Sequence, residues 1–326
     1  MNKTENLRLG TRGSQLALFQ AHEVAELLRA RAGVACDILV IKTSGDRLAE
    51  APLAEIGGKR LFVKEIEDAL LDGAVDLAVH SSKDIPAVLP PGLVLGAVLP
   101  REDARDAVVL PNGEQTPAGL EDIVRRLGRE PRMGTSSVRR TAQLTRLFPE
   151  AEFAPIRGNL DTRLRKLDTG EFDALILAAA GLLRLGHGPR ISAVLPPEMC
   201  VPAPGQGTIA VETRREDVTI RDIVRKIDDP VSAAVLTAER AVVTRLGGGC
   251  QMPLGAYAIA SENELALTAI VLSVDGWRTA RAETRGLLAE AELVGTRAAE
   301  QLLARGAADI LADVDGARAA VEGLQP

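Results

Sequence analysis

The chain is poor in aromatic rings, with one Trp, one Tyr and five Phe among 326 residues. Few rings remain on which bases could stack. The net charge of −6 also lacks the basic excess of a general nucleic-acid binder, so nucleic acid is not an expected partner. Cysteine is scarce: Cys36, Cys200 and Cys250 form an odd, widely spaced set with no CxxC. That set is neither a disulfide framework nor a zinc pattern. His22, His80 and His187 are equally scattered, so no metal site is expected. Long apolar runs are missing too. The longest, around Ala174–Leu183, ends in Arg184 and falls short of the roughly 20 residues a membrane helix needs. Met1 to Gly10 has no apolar h-region and no small-residue cleavage site. No signal peptide is expected, and the cytosol is the natural compartment.

What is present is ample apolar material, 46% of the chain, enough for two or three domains. Leu7–Gly10 reads as a short strand, and Leu16, Phe19, Val24, Leu27 and Leu28 recur at helical spacing. Ile38–Ile41 predicts a second strand. Lys42 to Arg60, polar and glycine-containing, reads as a mobile loop. Phe62–Leu71 predicts a helix, and Val75–Val79 a buried strand ending in His80-Ser-Ser-Lys-Asp-Ile-Pro86. A second unit begins near Asp106 with the same strand–polar turn–helix rhythm, including strands at Arg132–Gly134, Glu152–Pro155 and Asp173–Ala178. Pro196, Pro197, Pro202 and Pro204 mark a crossover before Gly205-Gln206-Gly207 and a strand at Thr208–Glu212. A helix at Ala233–Leu246, the Gly247-Gly-Gly-Cys250 segment, a strand at Leu265–Val274 and a helix at Ala291–Arg305 make a third, smaller α+β unit. The alternation predicts an α/β architecture with largely parallel pairing and two similar lobes around a cleft.

Although the chain is acidic overall, basic residues recur at strand ends and helix starts beside Ser, Thr or Gly. They are Arg12 with Ser14, Lys83 with Ser81 and Ser82, Arg139 and Arg140 after Thr135-Ser136-Ser137, and Arg157 and Arg163 around Gly158-Asn159. Helix N-termini offer unpaired N–H groups, and arginine a planar fork suited to carboxylates or phosphates. Any one such residue is usually a solvated charge. Their recurrence suggests a ligand with many anionic groups. Asp84 follows Lys83 after a buried strand, with Pro86 behind it. It reads either as a cap of the following turn or as an ionised acid that stabilises positive charge and exchanges protons. Cys250 follows three glycines, which allow close backbone approach. Cys36 and Cys200 fit the ordinary role of small buried hydrophobes better.

Taken together, these segments closely resemble the porphobilinogen deaminase (hydroxymethylbilane synthase) family. The matching stretches are Leu9–Leu18, Lys42-Thr-Ser-Gly-Asp46, Gly57–Glu65, Val79-His-Ser-Ser-Lys-Asp-Ile-Pro86, Gly134–Arg140, Ile156-Arg-Gly-Asn159, Ala179–Gly186, Pro204-Gly-Gln-Gly207 and Gly248–Pro253. They occur in family order from about Leu7 to Ala258. The resemblance implies two periplasmic-binding-protein-like lobes, residues 1–105 with 203–226 and residues 106–202. A C-terminal domain, 227–326, would carry the cofactor. It implies a dipyrromethane held by a thioether to Cys250, onto which four porphobilinogen molecules are joined head to tail with loss of ammonia, giving hydroxymethylbilane. Asp84 is then the catalytic carboxylate. Ser81, Lys83, Thr135, Ser137, Arg139, Arg140 and Gln206 would hold the cofactor. Arg12, Ser14, Arg157, Asn159, Arg163 and Arg184 would bind substrate or the growing chain, and Lys59 and Phe62 would belong to a covering loop. A monomer is implied. Arg60, Ser82 and Gly247 depart from common family residues without removing a catalytic group. Two other readings stand beside this one: a non-enzymatic polyanion binder of the same two-lobed fold, and a cysteine hydrolase using Cys250. The hydrolase lacks a placed partner histidine.

Overall fold

The computed structural model describes residues 6–44, 63–113, 117, 119–247 and 252–322. In the first lobe, β1 (Leu7–Thr11) leads to α1 (Gln15–Ala32), whose first turn is capped by Ser14 Oγ accepting the Ala17 N–H. Then come β2 (Cys36–Val40), α2 (Lys64–Leu71), β3 (Leu77–Ser81) and β4 (Leu93–Val98). The second lobe runs β5 (Asp106–Val109), α3 (Leu120–Leu127), β6 (Arg132–Gly134), α4 (Val138–Leu144) and β7 (Glu152–Ala154). It continues with α5 (Leu160–Asp168), β8 (Ala174–Ala178), α6 (Ala179–Arg184) and β9 (Ala193–Val194). The chain then returns to the first lobe as β10 (Ile209–Arg214) and α7 (Val218–Val224).

The two five-stranded sheets have equivalent orders, β2-β1-β3-β10-β4 and β7-β6-β8-β5-β9. Each is sandwiched between two apolar clusters. The expected parallel pairing holds for three strands of each sheet and fails at β10 and β5, which run antiparallel to β3 and β8. The reason is geometric. Both antiparallel strands are entered by crossing from the other lobe, so they begin where their neighbours end: Ile209 pairs with Ser81, and Asp106 with Ala178. Both crossovers and the C-terminal ends of β3 and β8 therefore lie on one side, which is where ligands gather in such sheets.

The third unit consists of α8 (Pro230–Leu246), an antiparallel sheet of β11 (Leu254–Ser261), β12 (Glu264–Leu272) and β13 (Thr279–Leu287), then α9 (Ala291–Ala304) and α10 (Ala307–Glu322). Only β12 is anticipated from sequence. Of the flanking strands, β11 is rich in Ala and β13 in Ala and Arg, residues that do not favour strands strongly, and both are stabilised by packing on the helices instead. Among the described residues, no helix is long and apolar enough to cross a membrane.

Candidate functional site

Strand β3 is buried through His80 and delivers Ser81, Lys83 and Asp84 to the crossover side. Residues Ser82–Asp84 form one 3-10 turn, closed by the Ile85 N–H donating to Ser82 O at 3.1 Å. A pocket of about 90 Å³ lies against this turn, lined by Arg12, Ser14, Gln20, His80, Ser81, Lys83 and Asp84. Ser81 Oγ meets the Gln20 side-chain amide at 2.9 Å. Beneath, His80 Nε2 lies 3.2 Å from Glu212 Oε2 with both side chains buried. The contact does not make a hydrogen bond.

The two crossovers meet beside this turn. Gly205 and Gly207 have φ of +72° and +85°, and a Cβ on Gly207 would sit 2.4 Å from Glu102 O in the other crossover. Only glycine permits that approach. Between the two glycines, the Gln206 amide donates to Ala104 O at 2.7 Å and to Asp106 Oδ1 at 2.9 Å. Its oxygen faces Lys83 Nζ at 3.4 Å and Arg140 Nη2 at 3.5 Å. Asp106 is fully buried and gathers the arginines: Arg139 Nη1 at 2.7 Å, Arg140 Nε at 2.9 Å and Arg140 Nη2 at 2.8 Å. Burial alone would raise the pKa of Asp106, but Arg139 and Arg140 more than reverse this and hold it well below the usual carboxylate range. Arg139 also donates to Val201 O, and Arg140 to Ile176 O, yet among the described residues Arg139 Nε is buried without a partner.

The second lobe adds further cations. Ser137 caps α4 and Asn159 caps α5, accepting the Arg140 and Thr162 N–H groups. Thr135 Oγ1 accepts the Ser137 N–H at 3.3 Å. Arg163 donates to Gly158 O at 2.9 Å. Burial, then repulsion from Arg140 and Arg157, pulls its pKa down to about 10. Arg184 reaches the crossover at Gly207 O, 2.9 Å away, and burial lowers its pKa against the pull of Glu23 and Glu102. Lys83 is pulled down to about 8, first by burial and then by Arg140, although Asp84 and Asp106 oppose the shift.

Thus Arg12, Ser14, Ser81, Lys83 and Asp84 share one wall, and Gln206 links that wall to Arg139 and Arg140. Arg157 and Arg163 extend the same positive field on the second lobe. Cys250, Lys59 and Phe62 lie outside the described residues. Sequence reasoning missed Gln20, Asp106, Arg101 and Glu239. Arg101 Nη1 pairs with buried Glu239 Oε1 at 2.7 Å and Arg101 Nε donates to Gln206 O at 2.9 Å, while the Gly205 N–H donates to Glu239 Oε2 at 2.7 Å. The pair ties both crossovers to α8. The available signal is an acid inside an apolar element: Asp106 opens Asp-Ala-Val-Val, and Glu239 interrupts the apolar face of α8.

Two lobes crossed twice by the chain, with cations gathered around one carboxylate turn, define a two-lobed α/β protein with a cation-lined pocket. The family model described as porphobilinogen deaminase, dipyromethane cofactor binding domain, matches residues 7–222, and that of the porphobilinogen deaminase C-terminal domain matches 233–304. The porphobilinogen deaminase of Syntrophotalea carbinolica is 45% identical over 313 residues, covering 95% of this chain and 96% of that protein. That of Geobacter metallireducens is 46% identical, covering 95% of each. The chain belongs to the porphobilinogen deaminase family. Among solved structures, the VFT2 domain of Bordetella pertussis BvgS aligns with a TM-score of 0.41 at 17% identity, covering 68% of this chain and 85% of that domain. That likeness is too slight to build on.

Proposed function

We propose that this chain joins four porphobilinogen molecules head to tail with loss of ammonia, forming hydroxymethylbilane on a dipyrromethane held by Cys250. The observation that carries the reading is surplus positive charge. Lys83, Arg139, Arg140, Arg157 and Arg163 act on one another closely enough to pull Lys83 to about 8 and Arg163 to about 10, with burial the largest cause in both. Such repulsion weakens the fold and is relieved by a bound polyanion. A pyrrole bearing acetate and propionate groups supplies those charges. The orphaned, buried Arg139 Nε is a further unmet donor that a carboxylate can take.

The dipyrromethane, when bound, supplies a pyrrole α-carbon as the attacking atom. The remaining work falls to side chains of this chain. Lys83, Arg139 and Arg140 would hold its carboxylates. Ser14 and Ser137 accept backbone N–H groups as caps, which leaves each hydroxyl proton available to donate to an anion. Arg12, Arg157, Arg163 and Arg184 would orient the incoming pyrrole. The Asp84 carboxylate, on the wall of the pocket beside its turn, would face the positive charge that develops as ammonia departs and stabilise it electrostatically. It then accepts the proton lost from the joined ring.

Cysteine chemistry supports the anchor. Burial and the nearby acids Asp37 and Asp76 push Cys36 up to about 11, and burial and Asp106 push Cys200 up to about 12. Raised thiol pKa values disfavour the thiolate at both positions near neutral pH, which supports Cys250 as the anchor. A protein that merely binds polyanions would need neither that thiol nor Asp84. The test is incubation of the purified protein with porphobilinogen, scoring ammonia release and product, alongside its intact mass. Consumption of porphobilinogen and an added mass that disappears in Cys250→Ser are expected. An active protein of unmodified mass would refute the anchor, and no consumption of porphobilinogen would refute the activity.

A further inference from the structure

We propose that Arg240 is a positioning residue that holds the Asp84 turn in register with the helix leading to the anchor cysteine, an inference that rests on the function proposed above. Arg240 lies on α8, and its Nη2 donates to Pro86 O at 2.8 Å and to Ala87 O at 2.9 Å. Among the described residues, neither carbonyl accepts from a backbone N–H. The segment from Pro86 to Pro91 belongs to no helix or strand, and its next backbone bond comes only at Leu93, to Pro90 O. Upstream, Asp84 is fixed by its 3-10 turn and by buried Ile85. Arg240 is thus the tether on the downstream side, and a charged donor on two carbonyls is a strong one.

The neighbouring residue shows what the tether is attached to. Glu239 accepts from the Gly205 N–H at 2.7 Å and the Ala258 N–H at 2.8 Å, and it pairs with Arg101. Consecutive residues of α8 therefore grip the interlobe crossovers and the turn that follows Asp84. The same helix ends at Leu246 and runs on in sequence through Gly247-Gly-Gly to Cys250. The acid belongs to the first lobe and the thiol to the third unit, so their separation depends on contacts between the two. Repeated additions require the acid to meet a chain end that grows from a fixed anchor. Arg240 sets that relation at the acid's end.

Arg240 is only partly buried and lines, with Ala87, Thr237, Thr244 and Arg245, a groove of about 710 Å³ between β4, α8 and α9. The apolar core face of α8 is carried by other residues, Val235, Leu236, Ala238 and Val242. Truncating Arg240 widens a groove and leaves the core intact.

The experiment uses the cofactor-loaded enzyme, with loading checked by intact mass, as Arg240→Ala and Arg240→Lys. Arg240→Ala is expected to lower kcat about ten- to a hundredfold, because small misplacements of reacting groups are costly. KM for porphobilinogen should move less than about threefold, since the substrate-binding cations are untouched. Arg240→Lys should recover part of the loss, and millimolar guanidinium should raise the rate of Arg240→Ala without raising that of the wild type. Wild-type kcat in Arg240→Ala overturns the proposal. So does a loss that tracks a lowered melting temperature and is rescued by neither lysine nor guanidinium, because that is the signature of a merely structural residue. Failure of the wild type itself to release ammonia from porphobilinogen would instead refute the function.

Discussion

Replacing Asp106 by Asn removes one charge with almost no change of shape, and its consequences can be worked through from the contacts. The carboxylate is fully buried and receives Arg139 at 2.7 Å, Arg140 at 2.8 and 2.9 Å, and Gln206 at 2.9 Å. Asn can still accept from Gln206 through its oxygen, but two guanidiniums, 4% and 8% exposed, lose their counter-charge. Breaking a buried ion pair from one side costs about 3–5 kcal/mol. At roughly 2 °C per kcal/mol for a chain of this size, the melting temperature should fall by about 6–10 °C at pH 7. The pH dependence follows from the same contacts. The folded pKa of Asp106 is depressed, so its contribution is fully present above the unfolded carboxylate value of about 3.9 and is lost as pH falls further. The difference between wild type and variant should stay constant from about pH 5 to 8 and shrink below about pH 4. Circular-dichroism melts across that range measure it. A shift under about 2 °C at pH 7, or a gap that persists undiminished to the lowest pH at which both fold, would refute the reasoning.

Asp84→Asn should keep the cofactor mass yet lose turnover by at least about a hundredfold, since Asn neither carries charge nor takes a proton; ammonia release at the wild-type rate would remove Asp84 from the chemistry. Lys83, with a pKa of about 8, is half-neutral there, so porphobilinogen affinity of the cofactor-free Cys250→Ser protein should weaken as pH rises through that value. Calorimetry from pH 6.5 to 9.5 should show that inflection and show it absent in Lys83→Arg, whose charge does not titrate there; identical profiles for the two would count against it. Gly207→Ala places a Cβ 2.4 Å from Glu102 O at φ +85°. It should lower stability by at least about 2 kcal/mol in urea unfolding, and an unchanged midpoint would show that the crossovers separate freely.

Much of this protein is legible locally. Strand–turn–helix rhythm follows from apolar spacing and caps such as Ser14, Ser137 and Asn159, whose side chains act within three residues. Charged turns at strand ends could be picked out for the same reason, and the family follows from their order. Three things depend on tertiary structure alone. The antiparallel sense of β5 and β10 arises because the chain changes lobes before each of them. Arg139 and Arg140 read as ligand-binding forks, but in the fold they first satisfy Asp106, an acid opening β5 that no local pattern joins to them. The α8 pair, Glu239 and Arg240, bonds to Gly205 and Pro86, which are remote in sequence and brought to α8 only by the fold. Periodicity reports which face of an element is buried. It carries no record of which distant charge will be waiting there, and burial makes that partner decisive.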